Sequence, residues 1–389
     1  MHYNKIKVMT KIIIPNDSAE VSWFAPICNG DDQFLGDHDS KYKSSWENTS
    51  KIILKADKIG FRNILCPSSY QVGQDTIAFV SAIAPLTKQI NLLPAIRCGE
   101  VHPPMLARSI ATIDHILKGR LTLNIISSDL PGDSLTSDYR YRRSNEVIQI
   151  LKQGWNKDFI DFKGEFYNIK LPSDPVKPYQ QNGGPLLYFG GYSPSGVDLC
   201  AKHCDVYLMW PETILNLKAH IQNLKAKSKK FNRELQFGLR IHVIVRETED
   251  EAKTYANKLI SHLDIQKGNE IKARALDSKS YGVLLQSEMR KQSDKEYYIE
   301  NNLWTGIGIA RSGCGAAIVG NPDQVYNKIK QYMSIGIKSF IFSGYPHSDE
   351  LDLFAKYVLP KIKTFSFPQI LNRIPKNIPL TPLASGKRK

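Results

Sequence analysis

The run FGLRIHVIV (237–245) carries Arg240 and His242 two residues apart in an apolar, β-branched segment. In a strand that spacing puts both side chains on one face. An arginine and a histidine facing an opening can bind an anion and move a proton. A satisfied core histidine beside an arginine would use the same pattern. Arg311 lies in GIGIARSGCG (306–315), where it serves either chemistry or the capping of a glycine loop. The GIG within it is no dinucleotide fingerprint, because no glycine stands at the third position before a helix and no acidic residue follows in a βαβ unit. GGYSPSG (190–196) combines Gly190 and Gly191 with Tyr192 and Ser193 at a helix start. Close backbone approach, a serine and a helix N-terminus suit a phosphate, and an ordinary serine-capped helix uses the same residues. Cys200, His203 and Cys204 resemble metal ligands in type, but their i, i+3, i+4 spacing is that of a buried helical stripe, and no metal is expected.

Those residues need elements to position them. Eight apolar runs read as strands: 21–27, 61–67, 90–96, 121–127, 186–190, 206–210, 237–245 and 338–344. Segments of helical period separate most of them, one opened by Pro103 and Pro104 and closed by Gly119. Strands apolar throughout and alternating with helices predict a closed parallel sheet, an α/β fold of the (β/α)8 TIM-barrel type with insertions. A doubly wound open sheet is the second choice. In a barrel the active site sits at the strand C-termini. In chain order these deliver Cys28 and Asn29, Ser68 and Ser69, Arg97, Ser127 and Ser128, the turn Tyr188–Gly191, Trp210, Arg240 with His242, and Tyr345 with His347.

Two stretches break the alternation. Residues 156–173 read as a small hairpin insertion, and the charged segment 265–300 as a mobile lid loop. The chain therefore divides into an N-terminal arm (1–19), a barrel domain (20–365) containing the lid, and a basic tail (366–389).

The 52 basic and 38 acidic residues among 389 leave a net charge of +14, of which Lys5, Lys7, Lys11, Arg373, Lys376, Lys387, Arg388 and Lys389 sit in the two tails. That distribution fits solvated tails and a small anionic ligand better than a nucleic-acid face. No run approaches the ~18 apolar residues of a membrane span. The N-terminus lacks the core of a secretory signal, and six scattered cysteines form no disulfide framework. A cytoplasmic protein is expected.

The motifs taken together resemble the bacterial luciferase-like, reduced-flavin-dependent monooxygenases, most closely the alkanesulfonate monooxygenase branch. The segments carrying the likeness are ARSIATIDHILKGRLTLNIIS (107–127), PLLYFGG (185–191), DVYLMW (205–210), FGLRIHVIVRETEDEA with LISHLD (237–264), NLWTGIGIARSGCGAAIVG (302–320) and IKSFIFSGYPH (337–347). The resemblance implies a barrel that takes FMNH2 from a separate NAD(P)H:FMN reductase, uses O2 as co-substrate, and cleaves the C–S bond of an organosulfonate to sulfite and an aldehyde. It implies a homodimer or homotetramer. Related activities in the family are oxidation of a sulfone or hydroxylation of carbon or nitrogen, and a catalytically silent flavin-binding barrel is a third possibility.

By position, the resemblance assigns Arg240, His242, Arg311, Tyr345 and His347 to catalysis. It assigns Ser127, Arg140, Tyr141, Gly190, Gly191, Tyr192 and Ser193 to the flavin, and Cys28, Asn29, Arg97 and Trp210 to the substrate. Three departures stand out. Cys28 or Asn29 occupies the place of a strand-1 histidine, SSYQVGQD replaces a cysteine-bearing segment after strand 2, and Ser137 replaces a histidine before the Arg140–Tyr141 pair, after a shortened loop. All three line the pocket and bear on substrate more than on reaction class.

Overall fold

The computed structural model describes residues 14–28, 31–37, 39–70, 73–173, 177–263, 266, 268–270, 280–311 and 313–377. All eight expected strands form: β1 (Ser18–Phe24), β2 (Asn63–Cys66), β3 (Asn91–Arg97), β4 (Thr122–Ile126), β7 (Leu186–Phe189), β8 (Val206–Met209), β9 (Gln236–Val245) and β13 (Ile337–Ser343). They pair in that order, all parallel, and β13 returns to β1 with Ser22 opposite Ile341. The sheet is closed, which removes the open doubly wound alternative.

Strand alternation sorts the side chains into two cores. Ala19, Val21 and Trp23 of β1 face the surrounding helices, where Trp23 packs on Phe61 and Phe354. Glu20, Ser22 and Phe24 alternate with them and face the lumen. At the lumen floor Glu20 accepts hydrogen bonds from Tyr188, Asn63, Ser339 and the Phe367 amide. Burial raises its pKa. Around it Leu65, Leu93, Leu186, Val206, Leu208 and Ile341 cluster with Tyr188 and Phe367 in an apolar lumen core. Phe24 and Arg97 end their strands, and Arg240 and His242 lie on β9 just past its last pairing with β8, Met209 opposite Leu239, toward the mouth.

The helical layer includes α1 (Trp46–Ile59), α2 (Thr76–Ile83), α3 (Pro103–Ile116), α4 (Ser137–Asn156), α5 (Pro194–His203), α6 (Ile214–Lys229) and α7 (Glu249–Leu259). The sequence reading leaves α4 unassigned. Its first half is charged and aromatic, and the stripe Val147, Ile148, Ile150 and Leu151 emerges only in the second half. The hairpin expected at 156–173 is present as β5 (Phe159–Lys163) and β6 (Asn168–Pro172), antiparallel.

The long segment 265–300 is not loop throughout. Its described second half forms α8 (Tyr281–Lys291) and β10 (Tyr298–Glu300). β10 joins β11 (Leu303–Trp304) and β12 (Ala317–Gly320), and β12 pairs with the outer half of β9. The chain closes with α9 (Pro322–Ser334), α10 (His347–Tyr357), β14 (Lys363–Thr364) and α11 (Phe367–Ile370). The start of the expected solvated tail is docked rather than free. Phe367 is fully buried, and Arg373 bonds the carbonyls of Asn182 and Gly184 and pairs with Asp205 at 3.1 Å. Among the described residues no helix is long and apolar enough to cross a membrane.

Candidate active site

Arg240 and His242 face the lumen as their spacing predicts. Arg240 is 7% exposed, its guanidinium lies 4.6 Å over the Phe24 ring, and its contact to the Ile341 carbonyl is long, at 3.5 Å. Among the described residues no carboxylate pairs with it. His242 sits beside Ser343, with Nδ1 2.6 Å from the hydroxyl oxygen, and its ring is 5.3 Å from that of Tyr345. Burial, then the charges of Arg240 and Arg311, hold its pKa well below the ordinary histidine value. It is a neutral imidazole, able to accept a proton but not storing one.

Tyr345 follows β13 and is buried, with the Arg311 guanidinium 5.0 Å from its ring centre. Burial raises its phenol pKa, and both arginines pull it back. His347 begins α10 behind Pro346, which offers no side-chain cap. Asp31, from the β1–α1 loop, supplies one: its Oδ1 accepts the His347 backbone N–H at 2.8 Å and lies 2.7 Å from the imidazole Nδ1. Arg240, His242, Arg311, Tyr345 and His347 thus form one cluster.

The other side of the mouth is built on β4, α4 and the turn after β7. Ser127 donates to Ser144 at 2.7 Å, and Arg140 bonds the Ser127 carbonyl at 3.0 Å and pairs with Asp129 at 3.1 Å. Arg140 therefore braces the loop after β4. Arg97 reaches the same loop, donating to Ser128 and, at 3.2 Å, to the Asp129 carbonyl. Gly190 has no room for a side chain, since a Cβ there would stand 2.6 Å from the Leu208 carbonyl. The Tyr141 hydroxyl lies against Gly191 and Gly196, and Ser193 caps α5 by accepting from the Gly196 amide. The first turn of α5 has no acidic residue.

Tyr192 accepts the Trp210 N–H at 2.7 Å and stacks on His220, so it props the Trp210 backbone. The Trp210 ring lies over Gly282 of α8 and Gly313. Gln286 completes that junction by donating to the Pro211 carbonyl at 2.7 Å and accepting from the Gly315 amide at 3.0 Å. The Cys28 thiol is pushed up to about 12 by burial, against the pull of Arg97, and stays protonated. Asn29 lies outside the described residues.

Cys200 and Cys204 are buried in the main core, and His203 faces Asn145 at 2.8 Å, as the stripe reading expects. Asp31, Phe24, Cys314 and Gln286 went unread in the sequence. Phe24 alone carried a signal, since it continues the inward alternation of β1. A cavity of about 480 Å³ on the flank, lined by Glu249, Asp294, Glu296 and Glu300, is not the mouth, and Lys253 and Lys328 pair two of its carboxylates.

Comparison with known proteins agrees with this geometry. The family model described as luciferase-like monooxygenase matches residues 19–339. A sulfoquinovose monooxygenase of Agrobacterium fabrum is 54% identical over 373 residues, covering 96% of this chain and 97% of its own. A second, from Novosphingobium aromaticivorans, is 49% identical, covering 89% and 97%. Among solved structures, a long-chain alkane monooxygenase superposes with TM-score 0.70 at 18% identity, covering 91% of this chain and 95% of its own. The EDTA monooxygenase of Chelativorans gives 0.68 at 16%, covering 92% and 95%. These two speak for the barrel alone. The chain belongs to the luciferase-like, flavin-dependent monooxygenase family.

Proposed function

We propose that the protein is a two-component monooxygenase that desulfonates a sulfonated sugar of the sulfoquinovose type, giving sulfite and an aldehyde, with FMNH2 supplied by a separate NAD(P)H:FMN reductase. The observation that carries the reading is Arg240, a buried guanidinium with no carboxylate partner among the described residues. Such a group is costly unless an anion arrives to meet it. A sulfonate offers oxygens for a planar fork of N–H donors. The two relatives named as sulfoquinovose monooxygenases favour a sugar over a simple alkyl chain.

The turn after β7 fits a flavin phosphate. It joins a helix N-terminus free of acidic residues to glycines that admit the Tyr141 hydroxyl. Ser193 and the backbone from Gly190 to Gly191 would hold that phosphate, with Ser127, Arg140 and Tyr192 shaping the wall. When bound, the reduced flavin supplies the activation of O2. The chain's residues do the rest. Arg240 and Arg97 hold the sulfonate, neutral His242 takes up a proton, and the Tyr345 hydroxyl and Arg311 face the reacting end. Cys28 and Trp210 wall the substrate, and 280–300, packed over the mouth through Trp210 and Gln286, would exclude water.

The test is sulfite release with NADH, FMN and a flavin reductase, comparing sulfoquinovose with a linear alkanesulfonate series. Higher kcat/KM for sulfoquinovose supports the reading. Sulfite from the linear series alone, or turnover with NAD(P)H and no reductase, overturns it.

A further inference from the structure

We propose that Asp31 is a positioning residue, whose carboxylate holds His347 in the Nδ1–H form and so presents Nε2 as an acceptor for a hydroxyl of the bound sugar sulfonate. The assignment of a hydroxyl rests on the function proposed above; the tautomer does not. Asp31 and His347 are almost fully buried, with side chains 0% and 1% exposed. One carboxylate oxygen, Oδ1, meets both His347 nitrogens, the backbone N–H at 2.8 Å and Nδ1 at 2.7 Å.

A carboxylate accepting from the backbone can receive the imidazole only where Nδ1 carries its proton. In the neutral ring that leaves Nε2 with a lone pair. Nε2 is buried and, among the described residues, has no hydrogen-bond partner. The His347 ring lies 5.1 Å from Tyr345, edge to face, and 5.5 Å from Phe24, the ring beneath Arg240. It therefore belongs to the cluster at the mouth.

Asp31 faces Nδ1, and two guanidinium groups stand against the neighbouring rings. Arg240 sits on Phe24 and Arg311 on Tyr345, the two rings flanking His347. Glu350, on the next turn of the same helix, is tied to Arg246 by two hydrogen bonds, at 2.6 and 3.1 Å. An unmet acceptor inside a protein is destabilising unless a donor comes with the ligand. A sugar brings hydroxyl donors, whereas a linear alkanesulfonate brings none on its chain. The His347–Asp31 pair would thus select for a polyol sulfonate.

The experiment combines structure and kinetics. ¹⁵N NMR of histidine-labelled protein, with His347 assigned by loss of its signals in His347→Gln, reads the tautomer without turnover. The expected spectrum is a neutral Nδ1–H imidazole. An Nε2–H tautomer or an imidazolium overturns the proposal. Asp31→Ala removes the acceptor that both nitrogens share, so Nδ1 loses the bond that holds its proton and the proton is free to move to Nε2. kcat/KM for sulfoquinovose should then fall about tenfold or more, as when the orienting carboxylate of a catalytic histidine is neutralised. Asp31→Ala with unchanged tautomer or unchanged kcat/KM also overturns it. If that variant does not fold, the wild-type spectrum decides. A wild type that releases no sulfite from sulfoquinovose refutes the substrate reading, while the spectrum still judges Asp31.

Discussion

Replacing Arg240 by methionine should make the protein more stable and nearly inactive. Desolvating an unpaired guanidinium costs several kcal/mol. The contact with Phe24 returns about 2 kcal/mol, and the long bond to the Ile341 carbonyl at most about 1 kcal/mol. A net burden of about 2 kcal/mol remains, and methionine removes it while keeping an apolar stem against the ring. An unfolding entropy of ~2.1 cal/mol/K per residue amounts to about 0.8 kcal/mol/K for this chain. The expected rise in Tm without ligand is therefore about 2–3 °C. Losing a buried, charge-assisted contact to substrate costs about 3–4 kcal/mol, or ~10²- to 10³-fold in kcat/KM. The assay pairs scanning fluorimetry, with and without saturating sulfonate, with sulfite release. The wild type should gain Tm from the sulfonate and Arg240→Met should not. A variant that melts several degrees lower yet keeps wild-type kcat/KM would show that Arg240 is a satisfied part of the core.

His203 is held neutral in the fold, its pKa lowered to about 3 chiefly by burial, so below the unfolded value near 6.5 only the unfolded chain takes up that proton and stability falls with pH. From pH 7 to 5 the wild type should lose about 2 kcal/mol more than His203→Gln in urea titrations, a difference from which buried Asp114 and Glu350, raised to about 7, cancel. Glu146 accepts the amides of Glu165, Phe166 and Tyr167 at 2.6, 3.0 and 3.1 Å, so Glu146→Ala should open the β5–β6 hairpin to proteases by about 2–3 kcal/mol of local stability. Unaltered cleavage between 156 and 173 would contradict it. Gln286→Leu should loosen α8 from the mouth and raise the share of O2 lost as H2O2 by about twofold or more, and wild-type coupling in that variant would count against a water-excluding role for 280–300.

The barrel was legible because each of its strands is buried on both faces and reads as an apolar run. β9 and β13 match their expected spans within a residue. The missed elements had weaker patterns. β11 has two residues and β10 three, both too short to show alternation, and α8 lies within a charged stretch. At the site, Arg240 and His242 could be read because both lie on one strand. Asp31 could not, because its meaning depends on a helix start 316 positions away. The pairing of Arg140 with Asp129 was not legible either, because it depends on how the loop after β4 folds back.

Burial also explains why this mouth uses arginine. It lowers the pKa of His242 and raises those of Cys28, Cys314 and Tyr345, so each of these groups rests in its neutral form near neutral pH. A lysine amine under the same desolvation would release its proton and with it the anion site. A guanidinium keeps its charge even though burial lowers its pKa too. Asp31, a carboxylate of the cluster, is tied to His347, and among the described residues no carboxylate pairs with Arg240. The same low-dielectric setting thus holds the proton-handling groups neutral and the anion-binding group charged, a separation that an open, solvated mouth would not maintain.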